Sequence, residues 1–485
     1  MLHIGRNILS LLVSRILAAV ILFLIYNRLI QYLGPDIAGQ YGLLAAYLTV
    51  FTFFVDLGMQ QLVIKKVSEN KAEASKYLGN YFSIQFLLGL GFMLILDVIV
   101  LTAHYPPLVK HSLFITGISL LLSSLTMPLM AIINAFQRLV VIARVNFLNS
   151  VINAGMMIAA IVFRKNIFFL AFIPGIVAIF DILMYSYFVH KNFTPFGLKF
   201  DFGFWKSLFV WNMPFMFLTI FSIYNRIDTL ILPHLRSFTE NGYYTYAYKF
   251  WDTLAFLPAV VAAALYPYFA EKIKTGAIED VRKVLTTYTR YMIAVGIPLS
   301  MGAYLLSGRI IQAFIPDGKF APAATALWLL ISAVSVLFIY VPVNSVIISQ
   351  KTKTATIITG FNLLFNVVLN LLLIPKFGFV VAAVLTLCSE MVQLIGYTYV
   401  VQTKIISFPY LINFVKPILA SAVMGFAVYF FRDHNLWLLI AGGGVIYAIV
   451  LISLRFFRRE DVELLKASFN FTKKLEPDVP PVTHL

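Results

Sequence analysis

Apolar stretches long enough to cross about 30 Å of hydrocarbon, which takes roughly 20 helical residues each, recur along the whole 485-residue sequence. Fourteen can be delimited, beginning with 8–30, 38–64 and 77–102 and ending with 409–431 and 436–457. Within hydrocarbon every backbone N–H and C=O must be bonded inside the chain, which leaves helices or closed barrels, and stretches of this length select helices. The expected fold is therefore an all-α polytopic membrane protein with 14 transmembrane helices. Composition agrees: 61% of residues are hydrophobic and 12% charged, about half the ~25% charged share of a soluble domain, which excludes a soluble enzyme. Arg15 interrupts the first stretch and no small-residue cleavage site follows it, so it reads as a retained helix and not as a secretory leader.

Lys and Arg number 37 against 21 Asp and Glu, a formal net charge of +16. Of the basic residues outside the spans, 23 fall on the side of both termini, Lys65, Lys66, Lys272 and Arg455 among them, and 9 on the other, including Arg28, Lys110 and Arg309. Basic loops stay inside, so both termini are predicted to be cytoplasmic, and the excess charge encodes orientation without any nucleic-acid partner. The single cysteine, Cys388, sits in an apolar run, and all seven histidines lie at span ends or in loops. No disulfide framework, metal, cofactor or mid-membrane histidine relay is expected. The longest outward loop, residues 309–321, is too short for a catalytic domain, so the chain is not read as an enzyme.

An internal repeat organises the spans. Ile25-Tyr26-Asn27-Arg28 near the outer end of span 1 reappears as Ile223-Tyr224-Asn225-Arg226 near the outer end of span 7. Gln137-Arg138, Asn149 and Asn153 align at one offset with Gln350-Lys351, Asn362 and Asn366, linking span 5 to span 11. Both matches pair spans six apart, an even number, which predicts two parallel six-helix lobes, a common transporter plan with a site between the halves. The expected organisation is an N-terminal lobe over 1–190, a cytoplasmic linker over 191–205, a C-terminal lobe over 206–401, two further helices within 402–457 and a cytoplasmic tail over 458–485.

Charge inside a membrane costs about 2.5 to 3.5 kcal/mol per basic side chain on insertion scales, so those present usually face a polar interior. Arg15, Arg226 and Lys249 are candidates for such a cleft; Arg290 and Lys416 lie nearer the inner interface, where snorkelling accounts for them. Lys249 and Asp252 are three apart and can pair along one helix face, whereas Arg226 and Asp228 point differently, so Arg226 requires a carboxylate or an anionic ligand from elsewhere. Asp56, Asp181 and Glu390 are carboxylates within spans, able either to carry a coupling ion or to neutralise the basic residues. Asn149 with Asn153, and Asn362 with Asn366 and Asn370, form stripes on spans 5 and 11. They serve either as interhelical glue or as contacts for hydroxyl-rich groups. Tyr243, Tyr244, Tyr246 and Tyr248 are read as interfacial belt residues, with stacking on sugar rings as the alternative.

The stretch Asn27-Arg28 through Gly34-Pro35, then Gly39-Gln40-Tyr41-Gly42 and Asp56-Leu57-Gly58, resembles the amino-terminal signature of bacterial polysaccharide flippases. These are Wzx-type O-antigen transporters of the multidrug/oligosaccharidyl-lipid/polysaccharide exporter superfamily. Asn225-Arg226-Ile227-Asp228 followed by Gly242-Tyr243-Tyr244 looks like the family's pattern over spans 7 and 8. The resemblance implies alternating-access flipping of an undecaprenyl-diphosphate-linked oligosaccharide to the outer leaflet of the cell membrane, working beside polysaccharide assembly proteins. It also implies a cationic cavity, with Arg15, Arg226 and Lys249 inside and Arg28 at the rim. In relatives that flip lipid II the last two helices help form a groove for the lipid tail. Those relatives typically carry an Arg-Asp pair at the end of span 1 where this chain has Asn27-Arg28. A lipid II flippase and a cation-coupled multidrug exporter of the same superfamily are the alternatives.

Overall fold

The computed structural model describes residues 2–193, 197–221 and 224–457, with side chains from residue 20 onward except at 214, 217–225, 263 and 264. Among the described residues it is all-α. The helices are α1 (Leu2–Asp56), α2 (Met59–Glu69), α3 (Ala74–Thr102), α4 (Pro107–Ala135), α5 (Leu139–Val162), α6 (Ile167–Asn192), α7 (Phe202–Phe221) and α8 (Tyr224–Leu235). They continue as α9 (Phe238–Lys274), α10 (Ile278–Phe314), α11 (Ala323–Gln350), α12 (Thr352–Phe377), α13 (Phe379–Lys404), α14 (Ile412–Phe430) and α15 (Leu436–Ser453).

Twelve described helices are long and apolar enough to cross a membrane. α1 counts once among them although it contains the first expected span and most of the second. Those spans are joined without a loop: the break is confined to Gly34, at φ 73 and ψ 170, a conformation that glycine alone adopts readily. Pro35 follows, lacks an amide hydrogen and disfavours helix at the residue before it. A second break falls inside the expected 38–64 span. Leu57 (φ 49) and Gly58 (φ 79) are left-handed, and the Asp56 carboxylate accepts from the amides of Gly58 at 3.2 Å and Gln60 at 3.1 Å and from the Tyr81 hydroxyl at 2.8 Å. This turn starts α2. The expected span 7 corresponds to α7 and α8; residues 222–223 lie outside the described residues, as does the tail from 458.

The chain forms two compact units. The first comprises residues 1–253, 311–327 and 356–389. One of its apolar cores gathers Leu62 and Val63 of α2, Tyr81 of α3, Leu129 and Ile132 of α4, Tyr185 of α6 and Leu208 of α7. Another joins Leu43, Tyr47 and Val55 of α1 to α3, α4 and α6. In the same unit α1 and α9 meet backbone to backbone: a Cβ on Gly39 would collide with the Phe238 carbonyl, and one on Gly242 with the Pro35 carbonyl. Asn241 Nδ2 donates to the Gly39 carbonyl at 2.8 Å across this crossing.

The second unit comprises residues 254–310, 328–355 and 390–485. Here α14 and α15 pack on α10 through Leu306, Met424, Val428 and Leu439, with Gly425 set against Met301 and Gly443 against Val428, small residues admitting close helix approach. An apolar cavity of about 440 Å³ lies among Pro298, Gly302, Met424, Gly443 and Tyr447. Of the two residues expected to snorkel, Lys416 is exposed and reaches the Arg455 carbonyl at 3.0 Å. Arg290 differs: it is buried, with its guanidinium over the rings of Tyr291 and Phe456, which cover it.

Candidate functional site

The strongest concentration of charge within the first unit lies where α8 and the first half of α9 face α1. Asp252 does not pair with Lys249 three residues away. It takes Arg226 instead, with Arg226 Nη2 2.6 Å from both carboxylate oxygens. The pair is only partly shielded, its side chains being 26% and 30% exposed. Arg226 lies over the Tyr248 ring, 4.5 Å from its centroid, and its Nε and Nη1 hold no hydrogen bond among the described residues. Lys249 is half-buried with its Nζ 5.1 Å from the centre of the Tyr26 ring, and it forms no ion pair among the described residues. Two cations therefore lie on an aromatic floor beside one partly exposed carboxylate, and Lys249 is the cation left for an anionic partner.

Beneath this cluster the polar groups are closed off. Asp228 is 1% exposed and accepts from the Tyr244 hydroxyl, from the Thr229 amide at 2.7 Å and from the Thr386 hydroxyl at 3.3 Å. Tyr246 donates to Asn27 Oδ1 at 2.6 Å, while Asn27 Nδ2 returns to the Phe23 carbonyl at 2.7 Å. Tyr244, Tyr246 and Tyr248 are thus fully buried and not belt residues: α1, α8 and α13 supply the partners of the Tyr244 and Tyr246 hydroxyls inside the unit.

The remaining expected site residues are dispersed. Arg28 is exposed and donates to Gln31 at 3.2 Å. The side chain of Arg15 lies outside the described residues. Asn149 Nδ2 donates to Asp181 Oδ1 at 2.9 Å and Asn153 Nδ2 to the Asn149 carbonyl at 2.9 Å. Asn366 Nδ2 donates to the Ser389 hydroxyl at 2.9 Å and accepts from Asn370 at 2.9 Å; Asn362 is buried beside them. Of the three carboxylates considered for a coupling ion, Asp56 is the turn residue described above, Asp181 holds Asn149, and Glu390, in the second unit, accepts from the Tyr340 hydroxyl at 2.7 Å. Among the described residues no group of His, Cys, Asp and Glu is arranged to hold a metal ion.

Sequence reasoning gave two members of the cationic cluster other roles, Asp252 as the partner of Lys249 and Tyr248 as a belt residue, and met Tyr26 only as part of the repeat. Arg226 and Asp252 are 26 residues apart on different helices, a separation with no periodic signature.

The fold defines the class: a multi-pass helical membrane protein built like the lipid II flippase MurJ in its inward closed conformation. That structure superposes with a TM-score of 0.75 over 92% of this chain and 99% of its own, at 19% identity. An inward-facing multidrug resistance MATE family transporter of the MOP superfamily follows at a TM-score of 0.58, over 83% of this chain and 94% of its own, at 11% identity. The chain belongs to the polysaccharide biosynthesis protein family, whose profile matches residues 4–272, and the MatE profile matches residues 214–372. A curated relative, the probable flippase AglR of Haloferax volcanii, is 23% identical over 254 residues, 50% of this chain. The match spans about half, 53%, of that relative's length.

Proposed function

We propose that this protein flips an undecaprenyl-diphosphate-linked oligosaccharide from the inner to the outer leaflet of the cell membrane by alternating access, in polysaccharide biosynthesis. The observation that carries the proposal is the placement of two partly exposed cations, Arg226 and Lys249, beside one partly exposed carboxylate, Asp252, which pairs with Arg226. A diphosphate offers the anionic oxygens that a guanidinium fork, with Nε and Nη1 unbonded among the described residues, is shaped to hold. Arg15 and Arg28 are the further cationic candidates, and the duplicated lobes, 1–190 and 206–401, are the elements proposed to rock. The apolar cavity bounded by Met424 and Gly443 suits the lipid tail. Both termini are cytoplasmic in this reading, and polysaccharide assembly proteins are its partners.

The test is reconstitution of the full chain in proteoliposomes with a fluorescent undecaprenyl-diphosphate-linked oligosaccharide. Arg226→Ala is expected to slow outward transfer about tenfold or more, the worth of a charge-assisted hydrogen bond, and Lys249→Ala several-fold, with membrane insertion unchanged. Normal transfer by both variants removes the cluster from the site, and no transfer by the parent protein defeats the flippase reading. A cation-coupled multidrug exporter is the second reading, favoured by the MatE match. It calls for an acidic cavity, so efflux of a cationic dye in the same vesicles, without glycolipid transfer, reverses the order. Lipid II in place of the oligosaccharide distinguishes the remaining alternative.

A further inference from the structure

A second polar cavity lies in the first unit, away from the cationic cluster. It measures about 270 Å³ and is lined by Ser123 and Thr126 of α4, Asn153 of α5, and Pro174, Val177, Ala178 and Asp181 of α6. These positions fall near the middle of their helices, at the depth where a transported headgroup must pass. The cavity lies off the most exposed apolar faces of α5 and α6. On α5 the exposed Phe147, Val151 and Ile158 lie roughly opposite Asn149 and Asn153 at 100° per residue, and on α6 the exposed Ile176, Ile179 and Leu183 lie roughly opposite Asp181.

Its hydrogen bonding is one-sided. Asn149 fixes one oxygen of Asp181, and the Asn153 amide nitrogen is engaged by the Asn149 carbonyl. Thr126 donates to the Ser123 carbonyl at 2.7 Å. The groups left without a partner among the described residues are the second Asp181 oxygen, Asn153 Oδ1 and the Ser123 hydroxyl, so acceptors outnumber donors. No basic residue lines the cavity. Pro174, Val177 and Ala178 supply an apolar wall beside the acceptors, the counterpart of the C–H face of a pyranose ring. The volume is below the ~300 to 1,000 Å³ of sites for drug-sized ligands, which leaves room for a single ring.

We propose that this pocket is a sugar subsite: it takes one neutral or amino-bearing hexose of the transported glycan through its hydroxyl donors and disfavours an acidic sugar, with Asp181 and Asn153 setting the specificity. The assignment rests on the flippase reading and adds a selectivity to it. A carboxylate-bearing sugar would bring its charge against Asp181 with no cation to neutralise it.

The experiment uses the full chain in proteoliposomes with two probes, undecaprenyl-diphosphate-linked N-acetylglucosamine extended by glucose or by glucuronic acid. The parent protein is expected to transfer the glucose probe about tenfold faster. Asp181→Asn should slow that probe about tenfold and erase the preference, and Asn153→Ala should slow it several-fold. A parent protein without preference overturns the subsite, as does an Asp181→Asn variant that keeps the parent's preference. An Asp181→Asn variant that slows both probes equally and loses its response to an imposed proton or sodium gradient also overturns it, in favour of a coupling role. A readout independent of transport rate comes from Asn153→Cys in a Cys388→Ser background: the glucose probe, and not the glucuronate probe, should protect the new thiol from maleimide. Equal protection by both overturns the proposal. Failure of the parent protein to transfer either probe or any other lipid-linked glycan counts against the flippase reading itself, and so is told apart from failure of the pocket.

Discussion

The sequence repeat equates two asparagine stripes, and the structure gives them different work. On α12, Asn362, Asn366 and Asn370 are buried at 0%, 1% and 0% exposure, and Asn366 is locked between Ser389 of α13 and Asn370 one turn away. On α5, the matched Asn149 and Asn153 are half-buried; Asn149 engages a carboxylate on α6 and Asn153 borders an open polar cavity. Duplication preserved the residue type and its spacing; the neighbouring helix decided whether the amides became glue or lining. A serine opposite closes a neutral network, whereas an aspartate opposite leaves a charge that needs a further partner.

Three substitutions separate the stripes. Asn366→Ala should have the largest effect, lowering stability by about 2 kcal/mol because it strips partners from both Ser389 and Asn370 in a dry interior; thermal unfolding in detergent reads it, and an unshifted midpoint would remove the gluing role. Asn362→Leu should act in the opposite direction. Both ends of its amide are buried with no partner among the described residues, so an apolar side chain of similar size is expected to raise stability by about 1 kcal/mol. A loss would mean that this amide is engaged by residues outside the described set. Asn149→Ala should cost least in stability, about 0.6 kcal/mol, the average for a hydrogen bond between membrane helices. It should nonetheless slow transfer of a neutral glycan, since Asp181 loses the donor that orients it. A drop in stability as large as that of Asn366→Ala would erase the distinction between the stripes.

Much of the helical order was legible because hydrocarbon thickness imposes a length that the sequence must repeat. The interruptions were harder to read. Gly34-Pro35 was visible as a signature, but a connection compressed into one residue depends on the left-handed backbone at Gly34, which no hydropathy pattern reports. The break at Leu57 and Gly58 rests on Asp56 meeting Tyr81 of α3, a tertiary contact. At the site, Arg226 could be marked as a charge in need of a partner from its spacing to Asp228, yet the choice of Asp252 depends on how α8 lies against α9. The buried tyrosines escaped for the same reason: an aromatic near a span end is a belt residue or a core residue according to what packs over it.

The glycine crossing of α1 and α9 carries a kinetic consequence. Gly39 and Gly242 bring two main chains together with no side chain between them, so docking these helix ends immobilises no rotamers, and parting them releases none. The contact is then held by a few directional bonds, such as Asn241 to the Gly39 carbonyl, and by dispersion between flat surfaces. A seam of that kind has little entropic hysteresis: the same short list of bonds sets both how firmly it shuts and how fast it opens. In the proposed alternating-access cycle, the dwell time of such a seam is therefore tuned by altering its hydrogen bonds and not the bulk of the residues around it.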